Sequence, residues 1–181
     1  MGYGNRIISN ETTSAPRGLP FTVQELRDYM NQPFSEDDTM LEGMISAARQ
    51  YVEDKCNISI LTQEHTVTLA TDGDFARVLP SQPLQSLDNV EYTNCDCMAF
   101  EAATTGTYST MGTEFVQFKG QAGYWRLVYT AGYTTSTMPA GLKNVIKAVA
   151  MSMFEQRGDS SWSLPAWVKE QMKQYSRKSW V

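Results

Sequence analysis

The sequence predicts an α+β fold, mainly a helical bundle of about four helices with a small antiparallel β subdomain inserted in its middle. Three observations carry that expectation. Apolar residues recur at helical spacing before residue 57 and again after residue 134. Between them, residues 58–133 switch to the alternation of short strands broken by turn residues. The stretch from Val128 to Val149 then passes from strand pattern through Gly132 and a Thr/Ser turn into a helix begun by Pro139, the point where the chain returns from sheet to bundle.

Each element has its own warrant. Residues 1–20 are polar and aperiodic and read as a flexible N-terminal arm. Thr22 and Glu25 form the sequence of a capping box, with Phe21 and Leu26 placed as a hydrophobic staple, so a short helix starts there. A second helix is predicted from Ser35 as cap, with Glu36, Asp37 and Asp38 at the positive end of its dipole. Its apolar face runs through Leu41, Met44, Ile45, Ala48, Tyr51 and Val52 to a stop at Asn57.

Residues 58–133 hold strand patterns at Thr66–Leu69, Phe75–Leu79, Leu87–Tyr92, Met98–Glu101, Glu114–Phe118 and Tyr124–Thr130, giving five or six strands. Pro80 and Pro83 interrupt pairing. The third helix is expected from Pro139 through Val149, Met153 and Phe154 to Gly158, and the last from Ser163 and Pro165 through Val168, Met172 and Tyr175. Residues 21–57 and 134–175 are thus the bundle, 58–133 the inserted subdomain and 176–181 a C-terminal tail.

Composition narrows the function. Apolar residues make up 41% of the chain and the formal charge is −5, as in a globular protein. No run approaches the roughly 20 apolar residues of a membrane helix, no secretory h-region follows Met1, and Cys56, Cys95 and Cys97 read as reduced thiols, so a cytoplasmic, membrane-free setting is expected. A pI near 4.9 argues against duplex DNA as the main ligand. The last sixteen residues reverse the balance, with Lys169, Lys173, Arg177 and Lys178 against Glu170 alone. That cluster suits an acidic partner, or equally a solvated helix end whose cations favour the dipole.

Catalytic signals are sparse, and no catalytic, cofactor-binding or metal residue is assigned. His65 is a lone histidine in a strand pattern, without a nucleophile elbow or a cysteine placed at a helix start. Cys95-Asp96-Cys97 lacks the paired spacing of a zinc site, and Asp72-Gly73-Asp74 lacks the rest of a calcium loop. Tyr124, Trp125, Tyr129 and Tyr133 could stack on a ligand, but without interleaved cations they suit a sheet core better. The reading from another class is a small ligand-binding module or enzyme using the aromatic face near Trp125 with His65.

The run FTVQELRDYMNQPFSEDDTMLEGMISAARQYVEDKCNISILTQ, with Ala47-Ala48-Arg49-Gln50-Tyr51-Val52-Glu53 ending its long helix, resembles the N-terminal signature of tailed-bacteriophage head-tail connector proteins, the adaptor family that docks beneath the portal. VLPSQPLQSLDNVEY, VYTAGY, MPAGLKNVIKAVAMSMFEQRGD and LPAWVKEQMKQYSRK continue the resemblance in order to about residue 178. The last helix departs from it, with Gln171-Met172 where many relatives carry a Leu-Leu pair.

The resemblance implies a structural virion protein. Members form a homo-oligomeric ring, commonly a dodecamer, at the virion neck after assembly in the host cytoplasm; the portal protein lies on one side and tail or stopper proteins on the other. DNA passes through without sequence-specific binding, and no cofactor is involved. It further implies that residues 165–181 reach the portal, with Val168, Met172, Tyr175, Arg177, Lys178 and Trp180 as contacts, and that the inserted sheet meets neighbours or tail. A stopper or tail-completion protein, usually mostly β, suits four helices less well.

Overall fold

The computed structural model describes residues 6–31, 37–95, 99–120, 122–157 and 162–176. The fold is not mainly a helical bundle: among the described residues 34% helix stands against 35% strand, and the strands include a five-stranded antiparallel sheet. The chain divides into two compact units, one holding the described residues of 6–16 and 62–132, the other those of 17–61 and 133–176.

The strand unit begins where an arm was expected. Arg6–Ser14 is β1, paired antiparallel with β2 (Gln63–Asp72) from Arg6 opposite Ala70 to Ser14 opposite Glu64. Its sequence hides this because an edge strand contributes little to the core: Ile7 packs on it, while Ile8 is exposed. β3 (Phe75–Val78) follows, then β4 (Leu84–Thr93), β5 (Glu101–Ala102), β6 (Tyr108–Met111), β7 (Phe115–Phe118) and β8 (Ala122–Ala131). The larger sheet runs β1-β2-β8-β4-β5 and the smaller β3-β7-β6.

β8, central in the larger sheet, alternates strictly: Trp125, Leu127, Tyr129 and Ala131 are buried, and the residues between them are half-buried. Val67 and Leu69 of β2 join them, as do Val116 and Phe118 of β7, so the two sheets share one core, with the Phe118 and Trp125 rings 4.7 Å apart. Gly123 sits at φ 152°, where a Cβ would lie 2.5 Å from the Thr93 carbonyl oxygen. That close approach lets β8 pair with β4.

The helical unit has four helices among the described residues. α1 (Val23–Met30) starts with the expected capping box: the Glu25 amide donates to Thr22 Oγ1 at 3.1 Å and the Thr22 amide to Glu25 Oε2 at 3.0 Å. α2 (Asp38–Cys56) is capped by Asp37, which accepts from the Thr39 amide at 2.9 Å; Ser35, the expected cap, lies outside the described residues. Asn57, left-handed at φ 54°, ends α2.

α3 (Ala140–Glu155) stops short of Gly158, itself outside the described residues. The Gln156 side chain there both accepts from the Ser163 amide (3.1 Å) and donates to its carbonyl (3.2 Å). α4 (Ala166–Tyr175) follows Pro165. Leu41, Ile45, Ala48 and Val52 of α2 form the core with Leu142, Val145, Ile146 and Val149 of α3 and with Leu26 and Val168. None of the described helices is long and apolar enough to cross a membrane.

Candidate functional site

α4 is the element on which the predicted site residues fall, and its faces differ. Val168 is 0% exposed and Met172 7%, both within the helical core, where the Met172 carbonyl accepts from Cys56 Sγ at 3.5 Å. Tyr175 is half-buried, and its hydroxyl lies so close over Gly141 of α3 that a Cβ there would be 2.5 Å away. These three side chains therefore hold α4 to its own subunit. Arg177, Lys178 and Trp180 lie outside the described residues.

The outward face of α4 carries Trp167, 48% exposed, which the helical phase sets off the Val168–Met172 stripe. Tryptophan is enriched among the residues that anchor protein interfaces, which makes exposed Trp167 a candidate contact. The signal was present in sequence as an aromatic one position out of phase with the apolar repeat, and attention to that repeat alone passes over it.

On another flank of α4 a groove of about 260 Å³ runs between the helix and the end of α2. Leu164, Met172 and Tyr51 line it, and Lys55, Lys169 and Lys173 stand around it. The Lys55 ammonium sits 5.8 Å from the Tyr51 ring centre. Lys173 pairs with Glu170 at 2.8 Å, with both side chains largely exposed, so this pair adds little stability.

A wider depression of about 730 Å³ opens at the other end of the unit, where Phe21, Glu25, Arg27, Asp38, Glu42 and Lys143 mix charges of both signs. The Thr22 amide, and behind it Lys143 and Lys147, hold the Glu25 carboxyl below its ordinary pKa.

The rival site is built differently from a ligand pocket. Trp125 is 0% exposed, sealed between Phe118 and Tyr92. His65 is 3% exposed, stacked 5.4 Å from Tyr129, with Thr12 Oγ1 of β1 at 3.4 Å from its Nδ1; burial lowers its pKa. The Tyr129 hydroxyl donates to the Pro80 carbonyl at 2.5 Å, and burial raises its pKa. Trp125 and Tyr129 are core, whereas Tyr124 and Tyr133 are half-buried, Tyr133 packing against the helical core instead. Burial likewise pushes the Cys56 thiol up to about 11, leaving it protonated at neutral pH. Cys97, in the Cys95-Asp96-Cys97 run, lies outside the described residues, and among those described no three His, Cys, Asp or Glu side chains gather.

With core, grooves and charged rims in place, the family of the chain can be read. The head completion protein family matches residues 21–155, which take in both units. This chain belongs to the head completion protein family. Its role is accordingly structural, that of a head-tail adaptor. The search of curated proteins found no match to this chain.

Solved structures share its fold. A chain in the neck of an empty gene transfer agent (GTA) particle, computed with C6 symmetry, superposes with a TM-score of 0.78 at 16% identity, covering 96% of this chain and 98% of that one. A chain in the virion of a native GTA particle gives 0.76 at 17%, with the same coverage. A third, in the neck of a native particle computed with C12 symmetry, gives 0.74 at 18%, again with 96% and 98% covered. With 96% of the chain covered, the likeness takes in residues of the helical and the strand unit alike.

Proposed function

We propose that the chain acts without chemistry of its own, as one subunit of a closed ring at the virion neck, with the portal on one side and tail or stopper proteins on the other. What supports this most is the family match together with a fold shared end to end with chains of GTA necks, one of them computed with C12 symmetry. A twelve-membered ring follows by analogy. A closed ring needs two different complementary surfaces on each subunit. Its channel would pass DNA without retaining it, because a formal charge of −5 per copy disfavours phosphate.

Portal contact is proposed for residues 165–181. Val168, Met172 and Tyr175 would act indirectly by fixing α4, whereas Trp167 and the cationic end with Arg177, Lys178 and Trp180 would meet the partner. The test mixes the purified chain with purified portal oligomer and weighs the products by native mass spectrometry. A discrete complex with many copies per portal is expected. A chain lacking residues 176–181 should keep its circular dichroism and lose docking; normal docking by that truncated chain would end the tail assignment.

A further inference from the structure

We infer that the lysine-rimmed groove beside α4 receives the acidic first turns of α2 from a neighbouring copy of this chain. The inference rests on the ring reading above and gives one of its contacts residue by residue.

Two surfaces of the helical unit are complementary in charge and in spacing. Lys169 and Lys173 stand four residues apart on α4 and stand beside the groove; Asp38 and Glu42 stand four residues apart on α2 and line the opposite depression. Pairs at this spacing share one helix face with Cβ atoms about 5–6 Å apart, so the acidic pair can lie across the lysine pair. The lysines border an apolar floor, Leu164 and Met172, which gives the contact something to bury besides charge.

The two surfaces cannot satisfy one another within a subunit. Lys55, on the groove, is seventeen residues from Asp38 along the same unbroken helix, a separation of roughly 25 Å at 1.5 Å per residue. A second copy supplies the missing half of each patch, and because the two patches differ such a contact is heterologous, the kind that propagates round a ring.

Ordinary helix-end electrostatics accounts for only part of the pattern. Lys55 and Lys173 in last turns and Asp38 in a first turn are where the dipole favours them, and within the subunit Asp38 pairs with Arg27 at 2.5 Å and Lys173 with Glu170 at 2.8 Å, exposed pairs that a neighbour's charges can exchange with at little cost. Lys169, fourth residue of α4, is at the end that disfavours a cation, and Glu42 lies beyond the first turn of α2.

Gly43 supplies an independent observation. It lies inside α2, exposed, where glycine weakens a helix, and nothing lies within 4 Å of where its Cβ would be. Gly141, by contrast, is accounted for by the Tyr175 hydroxyl over it. Among the described residues nothing requires a bare backbone at Gly43, directly after Glu42, whereas a helix of a second copy crossing closely there would.

The test compares variants of the full chain for ring formation with portal oligomer by native mass spectrometry, with circular dichroism and melting temperature as controls. The Lys169→Glu, Lys173→Glu chain should lose the ring, and adding Asp38→Lys and Glu42→Lys to it should restore the ring. Gly43→Leu should melt no lower than the wild type yet fail to close rings. If the wild type forms no ring, the ring reading itself fails. If it does and the lysine variant or Gly43→Leu closes rings normally, this contact is overturned while the ring stands. Loss in the lysine variant without recovery in the fourfold variant would assign the lysines to a different anionic partner, such as portal or DNA, and would equally overturn it.

Discussion

Glu53, in the last turns of α2, accepts a hydrogen bond from the Ile60 amide at 2.8 Å, with Arg49 3.6 Å away. Burial nonetheless lifts its carboxyl above the ordinary value of 4.5, outweighing the amide bond and the guanidinium. The folded chain therefore binds this proton more readily than the unfolded chain. The associated stability is full below pH 4.5 and is lost as pH rises through the raised folded value. Glu53→Gln keeps an oxygen for the Ile60 amide and removes the titration, so its urea midpoint should fall less than that of the wild type as pH rises from 4.5 towards neutrality. Equal slopes in paired urea titrations would show that Glu53 carries no such linkage. Residue-scale grammar was legible in sequence where partners are close: Thr22 with Glu25 and Asn57 as a stop are read from neighbours alone. The Gln156 to Ser163 clasp was not, because the intervening loop has no periodicity to announce which side chain returns to which backbone.

α4 is the element whose sequence and structure diverge most in meaning. An apolar stripe near a chain end looks the same whether it faces its own core or a partner, and only the packing shows Val168 and Met172 turned inward. Met172→Ala should consequently cost about 2–5 kcal/mol of stability in denaturant titrations, as for other buried methionines; a neutral change would return Met172 to the surface. β1 teaches the converse. Its polar residues show no alternation because one edge strand buries little, yet it pairs with β2 from Glu64 to Ala70. Removing residues 1–14 would unmask the hydrogen-bonding edge of β2, so the shortened chain should scatter light on warming at temperatures where the full chain stays clear. A dispensable arm would leave the scattering unchanged. β2 and β8, by contrast, were legible because one face of each is buried along most of its length, which imposes alternation.

For the whole molecule, the order of helices and sheet after β1 was visible in the change of period, while β1 itself and the balance between helix and strand were not. Helical periodicity spans long windows and dominates a reading, whereas β5 has two residues and β3, β6 and β7 four each. The charged surfaces are a whole-molecule property too, since Asp38 and Lys169 become related only when copies meet. At about 0.15 M salt charges are screened beyond roughly 8 Å, and at 1 M beyond roughly 3 Å. Ring yield should thus fall as sodium chloride is raised from 0.1 to 1 M, measured by mass photometry; a yield that holds or rises would point to apolar contacts as the dominant ones.

The chain leaves the helical unit at Leu61 and re-enters at Tyr133, and these two residues are bridged to each other, with the Tyr133 amide donating to Ile60 at 3.2 Å. On the strand side, Gln85 Nε2 donates both to Thr62 Oγ1 and to the Gly132 carbonyl. Each unit thus has its own clasp where the chain passes through. Stripped of 1–16 and 62–132 and rejoined by a tight turn from 61 to 133, the helices would keep every side chain of their own core and both halves of the inferred contact. The sheet is in that sense a cartridge: its strands can be enlarged or reshaped while the helical core keeps every one of its own side chains.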